Sequence, residues 1–398
     1  MKTIMILGAG ILQVPAIKKA KEMGLNVVAV DMNPYADGFS IDGIKKEVIS
    51  TIDIPLVLDA AKEHKIDGIM TLASDMPMRT IAKVSSELGL IGIDEETAFK
   101  ATNKAAMRSA LDKFDVPIPK FIKVTGEDEF LSAVKTIHGL GLEVIVKPAD
   151  NSGSRGVDLI SDYSENSLKK VYQYSKQYSR SGDVVVEEFM TGPEVSVETL
   201  TVNGKCHVIQ ITDKLTTGAP FFVEMGHSQP TALPNDIKEK ISEVAIDANK
   251  AIGITSGPSH TEIKITPDGP KVVELGARLG GDNITTHLVP LSTGVDMVEA
   301  CIKIALGEKP NIEPKYTMGS AVRYFQQTPG IIKSISGLDD AKRIPGVKQV
   351  SIVHGIGETV TDIHSSTDRI GFVITQAESE SKAVAIAETA MKCISVLG

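Results

Sequence analysis

Several short stretches of this chain carry residues that could do chemistry together. Lys147 closes the apolar run Val144–Val146, and Pro148 bars a helix directly behind it. Asn151 to Gly156, reading NSGSRG, follows as a loop almost free of bulky side chains. Its backbone N–H groups and the Ser152 and Ser154 hydroxyls could converge on a polyphosphate beside the lysine charge, with Gly153 and Gly156 giving the backbone its freedom. An ordinary strand-to-strand turn explains the same loop when it is taken alone.

The other candidates surround it in sequence. Thr102 or Asn103 caps a helix expected to run to about Phe114, which places Lys104 in the first turn. A cation there opposes the helix dipole, so either an anion shares the site or the lysine is simply solvated. Val184–Val186 ends in Glu187-Glu188-Phe189-Met190. That linker could offer backbone groups to a flat base while Glu187, Glu188 or Glu194 takes ribose hydroxyls; otherwise these are solvent-facing strand residues. Ser259–Lys264 alternates, putting His260, Glu262 and Lys264 on one face. Gly269 turns the chain back, so Glu262 and Glu274 face each other. Opposed carboxylates repel by up to about 1 kcal/mol unless a cation lies between them, and magnesium takes such ligands together with phosphate oxygens. Arg278 could neutralise a phosphoryl group in transfer, and a structural ion-pair network is the competing explanation. Glu224 and His227 could contact substrate or be exposed. Asp75, with Ser74, sits at the carboxyl end of a strand, where it could touch substrate or cap the next helix. Arg323 could reach a carboxylate or make a surface ion pair.

Positioning these residues requires more than one packed unit, because 398 residues exceed a single core. The first hundred alternate strands (Thr3–Leu7, Asn26–Val30, Gly68–Leu72) with helices (Gln13–Met23, Pro55–His64, Met78–Leu88), the pattern of a doubly wound parallel sheet. Gly8, Gly10 and Asp31 imitate a dinucleotide fingerprint, but Gln13 stands where its third glycine belongs. Asn203-Gly204 signals a hairpin, and Asp236–Ala251 an amphipathic helix. Beyond Pro310, strands near Ser320–Phe325, Gly346–Val353 and Ile370–Gln376 precede a helix over Ser381–Val396.

Composition narrows the partners. Net charge is −9, with no run of Lys and Arg, which argues against nucleic acid. Cys206, Cys301 and Cys393 form no CxxC pair, so a reducing compartment without disulfides or structural zinc is expected. No apolar segment approaches about 18 residues. The expectation is a cytoplasmic protein with no membrane span, built as a multi-domain α/β and α+β chain.

NKAAMRSAL, KPADNSGSRGV, VEEFMTGPEVSVE, HTEIKI and ELGARLGGD, in this order and spacing, resemble the ATP-grasp carboxylate–amine ligases over essentially the whole chain. With FFVEMGHSQP upstream, the likeness is greatest to the L-amino-acid ligase branch. The resemblance implies a pre-ATP-grasp Rossmann-like βαβ domain over 1–100, an ATP-grasp nucleotide- and metal-binding domain over 101–310 and an α+β cap over 311–398. It implies that Lys104 and Lys147 hold the phosphates of ATP and that Ser152–Gly156 closes over them as a lid. The backbone of Glu188 and Met190 would read adenine, with Glu187 or Glu194 on the ribose. Glu262 and Glu274 would hold Mg2+, or Mn2+ in its place, and Arg278 would steady the phosphoryl group. Glu224, His227, Gly280 and Asp75 are the candidates for substrate contact. The family often carries an asparagine two residues after the second metal glutamate; here it is Gly276, which leaves open whether one or two ions are held. The implied reaction joins a small-molecule carboxylate to an amine through an acyl phosphate, in a protein whose default assembly is a homodimer. An NAD(P)-binding oxidoreductase and a non-catalytic nucleotide-binding module are the alternatives.

Overall fold

The computed structural model describes residues 1–151, 153, 155–219 and 221–397. The chain opens with β1 (Thr3–Leu7), α1 (Val14–Glu22), β2 (Asn26–Val30), β3 (Lys45–Glu47), α2 (Ile54–Glu63), β4 (Gly68–Met70) and α3 (Met78–Leu88). The strands form a parallel sheet of order β3-β2-β1-β4. Its central strands are apolar along their length because both faces are covered. The turn after β1 departs from a dinucleotide site. Gln13 is buried there and donates from Nε2 to Leu72 O at 2.6 Å. Its side chain packs so close that a Cβ on Gly8 would sit 2.9 Å from Gln13 Cδ. Asp31 is engaged locally, accepting from the Ala9 and Asn33 N–H groups at 2.8 and 2.9 Å. The residue that spoils the fingerprint therefore fills the turn itself.

Two helices lead out of this unit. α4 (Glu95–Thr102) runs across the expected boundary at 100/101, and α5 (Lys104–Lys113) follows it directly. Asn103 separates them and caps α5 by accepting the Ala106 N–H at 3.0 Å. A small lobe comes next: β5 (Phe121–Val124), α6 (Glu127–His138), β6 (Val144–Pro148), β7 (Asp158–Leu159), α7 (Glu165–Gln177) and β8 (Val184–Glu188). Its antiparallel sheet has the order β5-β8-β6-β7, and Phe130, Val134 and Tyr172 pack behind it.

The rest is built on one eight-stranded sheet. β9 (Glu194–Val202) and β10 (Lys205–Thr216) form the expected hairpin, with Asn203 at φ 51° and Gly204 at φ 77° as a two-residue turn of this kind requires. Then come β11 (Glu224–Gln229), α8 (Asn235–Ile252), β12 (Gly257–Thr266), β13 (Gly269–Gly276), α9 (Val289–Thr293), α10 (Met297–Ala305) and β14 (Gly319–Tyr324). The chain ends with β15 (Gly330–Ile331), β16 (Ser334–Ser336), α11 (Leu338–Arg343), β17 (Val347–Ile352), β18 (Thr359–Val360), β19 (Gly371–Ala377), α12 (Glu380–Cys393) and β20 (Ser395–Leu397). Strand order in the large sheet is β13-β12-β9-β10-β11-β14-β19-β17. The large sheet continues across 310/311, with β11 pairing with β14. The expected helix over Ser381–Val396 stops at Cys393, since Ser395–Leu397 pairs with β16 instead. Among the described residues no helix is long and apolar enough to cross a membrane.

Candidate functional site

The small lobe and the large sheet enclose a cleft of about 300 Å³. Lys104, Lys147, Gly153, Glu188, Met190, Glu194, Glu224, Glu262 and Glu274 all border it, so residues far apart in sequence meet at one place.

Lys147, on β6, reaches Glu187 of the neighbouring β8, Nζ to Oε2 at 2.7 Å. Glu187 is fully buried, and Arg108 of α5 grips it from the other side with Nε to Oε1 at 2.6 Å. Burial pushes this carboxyl's pKa up, but the Arg108 and Lys147 charges outweigh it and hold the group at about 2. Arg108 also donates to Val272 O and Val273 O at 3.2 and 2.7 Å. Those carbonyls mark a β-bulge: Glu262 pairs with Glu274 and Ile263 with Val272, leaving Val273 without a partner in the register. The ribose expectation for Glu187 is thereby corrected, because both its oxygens are committed to cations below the cleft surface. Of Glu187 and Glu194, it is Glu194 that lies at the cleft. In the linker, the Glu188 N–H donates to Lys120 O and the Phe189 N–H to Glu143 O, both at 2.8 Å.

On the large sheet, Glu262 and Glu274 are cross-strand partners as expected. The anion beside Lys104 proves to be Glu274 itself, with Nζ to Oε1 at 2.7 Å, and the same Nζ donates to Asn151 O at 2.7 Å. Glu262 meets Lys214 of β10, a nearly buried ammonium that also lies 2.6 Å from Glu194 and 3.6 Å from Glu224. Burial opposes that charge, but the three carboxylates raise its pKa well above the ordinary lysine value. Behind Glu262, His260 Nδ1 and Glu198 Oε1 are 2.5 Å apart. Burial pulls the imidazole down, yet Glu198 raises it to about 9.

Arg278 is held on the inner side by Asp75, its Nε and Nη2 each 3.1 Å from a carboxylate oxygen. Asp75 is accordingly not a helix cap; Pro77 occupies that position of α3, with no side-chain cap. This pair crowds Gly276: a Cβ there would stand 2.6 Å from Asp75 Oδ1, so an asparagine would have to displace the carboxylate that holds Arg278. Gly280 is likewise required, since a Cβ would fall 2.7 Å from His260 Nδ1 and 2.8 Å from Glu198 Oε1. It therefore serves as a floor over the His260–Glu198 pair.

Further along, His227 is buried and its Nε2 lies 3.4 Å from Asp282 Oδ2. Arg369, from the C-terminal segment, forks both Asp282 oxygens at 2.8 Å, sits 3.7 Å over the Tyr324 ring and donates to Glu224 O at 2.8 Å. Burial raises the Asp282 pKa, but Arg369 and His227 hold it well below the usual carboxylate range. A second cavity of about 390 Å³, between α3 and the small lobe, is bordered by Asp75, Lys104 and Glu274.

Ser152 and Ser154, expected as phosphate donors, lie outside the described residues. Gly153 and Gly156 hold φ of 67° and 77°, and a Cβ at Gly156 would meet Tyr178 Cβ at 2.7 Å. Sequence reasoning missed Arg108, Glu198, Lys214 and Arg369. Only Arg108 left a trace: it stands four residues after Lys104, on the same helix face. Among the described residues no group of three or more His, Cys, Asp or Glu could hold a metal. The facing Glu262 and Glu274 nonetheless suit a hard ion that takes one or two protein carboxylates and completes its shell with other oxygens.

Residues 140–286 match the ATP-grasp domain family, and residues 323–397 match the L-amino acid ligase C-terminal domain 2 family. An uncharacterized protein of Sinorhizobium fredii is 31% identical over 336 residues, covering 84% of this chain and 68% of the relative. The alanine–anticapsin ligase of Bacillus subtilis is 29% identical over 269 residues, covering 62% of this chain and 56% of that enzyme's length. In structure, the L-amino acid ligase of Bacillus licheniformis superposes with a TM-score of 0.85 at 24% identity, over 100% of this chain and 98% of that one. The chain belongs to the ATP-grasp ligases and carries the C-terminal domain of their L-amino-acid ligase branch.

Proposed function

We propose that this protein joins the carboxylate of an amino acid to an amine at the expense of ATP. The observation that supports this best is the register pair Glu262–Glu274, set opposite the lysine-bearing small lobe across one cleft. In this reading the carboxylate substrate accepts the terminal phosphoryl group, ADP departs, and the amine then displaces phosphate from the acyl phosphate. Lys104 and Lys147 present ammonium groups to the phosphates, and Met190 with Glu194 orients the nucleoside. Glu262 and Glu274 would hold magnesium, which when bound neutralises phosphate oxygens. Arg278, oriented by Asp75, faces the charge that builds on the phosphoryl group. His227, Glu224 and Gly280 are assigned to the substrate end. No protein nucleophile is needed, so positioning and charge neutralisation supply the rate. Exclusion of water protects the acyl phosphate. The 101–310 segment carries this chemistry, flanked by 1–100 and 311–398.

Release of ADP and phosphate across pairs of amino acids and common metabolic acids, with mass spectrometry of the product, tests the proposal. Lys147→Ala and Glu274→Gln are each expected to lower turnover by at least about a hundredfold, with the fold retained. Undiminished turnover in both variants sinks the site assignment, whereas ATP binding without turnover on any pair points to a binding module.

A further inference from the structure

Arg323 takes no part in the chemistry above, and its surroundings are unusual. It stands on β14 opposite Gly226 of β11 and lies across that glycine, where a Cβ would meet Arg323 Cδ at 2.8 Å and Nη1 at 2.9 Å. Its Nη1 donates to His227 O at 3.1 Å and Val322 O at 2.9 Å. Among the described residues no carboxylate comes within 4.0 Å of this guanidinium. Partial burial lowers its pKa, with Glu388 and Glu380 pulling the other way from a distance. A half-buried cation whose partners are all neutral carbonyls gains from an incoming anion.

The guanidinium borders a cavity of about 470 Å³ between the large sheet and the C-terminal segment. This cavity shares no lining residue with the grasp cleft. Alternation along the strands explains why: Lys214, Thr216 and Glu224 line the cleft, while Leu215 and Met225 line the cavity on the other face of the sheet. Its walls are largely apolar, from Leu215, Met225, Tyr324, Met391, Ile394 and Val396, with Gln326 and Lys392 as further polar side chains at the border. Leu215 is 49% exposed, a large apolar surface left uncovered. Glu388, an exposed carboxylate on α12, also borders the cavity and has no ion-pair partner among the described residues.

We propose that this cavity binds the zwitterion of an apolar amino acid, free or as a dipeptide, with its carboxylate on Arg323, its ammonium on Glu388 and its side chain among the apolar walls. Cations at Arg323 and Lys392, an anion at Glu388 and an apolar volume between them select that class over a simple fatty acid, which leaves the Glu388 charge unused, and over a polar metabolite, which wastes the walls. Because the same guanidinium holds His227 O, occupancy is felt one strand away from the grasp cleft.

The test uses the full chain with 13C-methyl methionine, reading the Met391 resonance assigned by Met391→Leu. The probes are L-leucine, L-leucyl-L-leucine, L-leucinamide and 4-methylpentanoate. A saturable Met391 shift with leucine or its dipeptide is expected, and whichever of the two saturates at lower concentration identifies the source. Arg323→Gln should weaken that binding about tenfold or more, as should loss of the probe's carboxylate in leucinamide. Glu388→Gln should weaken leucine while leaving 4-methylpentanoate unchanged. The readout at Met391 is independent of the ligase reaction, so failure there and failure of the proposed function are separable. If Arg323→Gln does not fold, Arg323→Lys and the cavity-filling Ile394→Trp carry the same comparison. The absence of any saturable Met391 shift overturns the proposal, as does binding indifferent to Arg323. A Met391 shift that instead tracks protein concentration, with a dimer in sedimentation, also overturns it, because a second copy then covers the cavity.

Discussion

Two charge clusters face each other across the grasp cleft with opposite stoichiometry. On the small-lobe side one carboxylate, Glu187, is shared by two cations, Arg108 and Lys147. On the large sheet one cation, Lys214, is shared by three carboxylates, Glu194, Glu224 and Glu262. The first cluster is left with surplus positive charge, which suits a polyphosphate. The second is left with surplus negative charge, which suits a metal ion. They differ in depth as well: Glu187 and Arg108 are buried, whereas the acids around Lys214 are 19–30% exposed. The deep cluster is accordingly a structural keystone that also presents Lys147, and the shallower one is open to exchange.

That contrast can be broken at four strengths. Arg108→Met leaves Glu187 buried against a single cation and removes the donors to the β13 bulge; a loss of about 3–5 kcal/mol is expected in urea unfolding. Acid should attack the same cluster. The Glu187 pKa is depressed from 4.5 to about 2, so its contribution is present above pH 4.5 and disappears as pH falls towards 2. The shift corresponds to about 3 kcal/mol, and stability measured between pH 5 and 2 should lose that amount in the native chain but much less in Glu187→Gln. Lys214→Met should cost less, about 1–3 kcal/mol, because its acids can rehydrate. Millimolar Mg2+ should restore part of that melting temperature and none of the Arg108→Met loss; equal rescue of both would erase the distinction between the clusters. Lys264→Met, which removes a peripheral partner of Glu194 at 3.1 Å, should change stability by about 1 kcal/mol or less.

What could be read beforehand follows from the range of each interaction. α3 was expected over the residues it occupies, because an apolar helical period is a local property. The Asn203-Gly204 hairpin and the Asn103 cap are local in the same sense. The facing of Glu262 and Glu274 was legible because a short turn fixes the register between adjacent strands. Arg108 was not, since its carboxylate lies 79 residues away on a strand of the small lobe and nothing near either residue announces the meeting. Asp75 was misjudged for the same reason: its partner Arg278 is 203 residues distant. The Ser395–Leu397 strand was hidden inside a helical period because its partner, β16, lies some sixty residues earlier. Gln13 shows the opposite case, a single departure from a motif, legible in the sequence, whose side chain fills the turn.

The unbroken eight-stranded sheet has a mechanical consequence. From β13 at one margin to β17 at the other, hydrogen bonds make the acid-bearing wall a single plate that resists folding along any line within it. Swinging motion must then belong to the four-stranded leaf opposite, whose attachment is pinned by the Arg108 guanidinium where it touches both bodies. Displacement about such a pivot would be smallest at Lys147, whose partner Glu187 that same guanidinium holds.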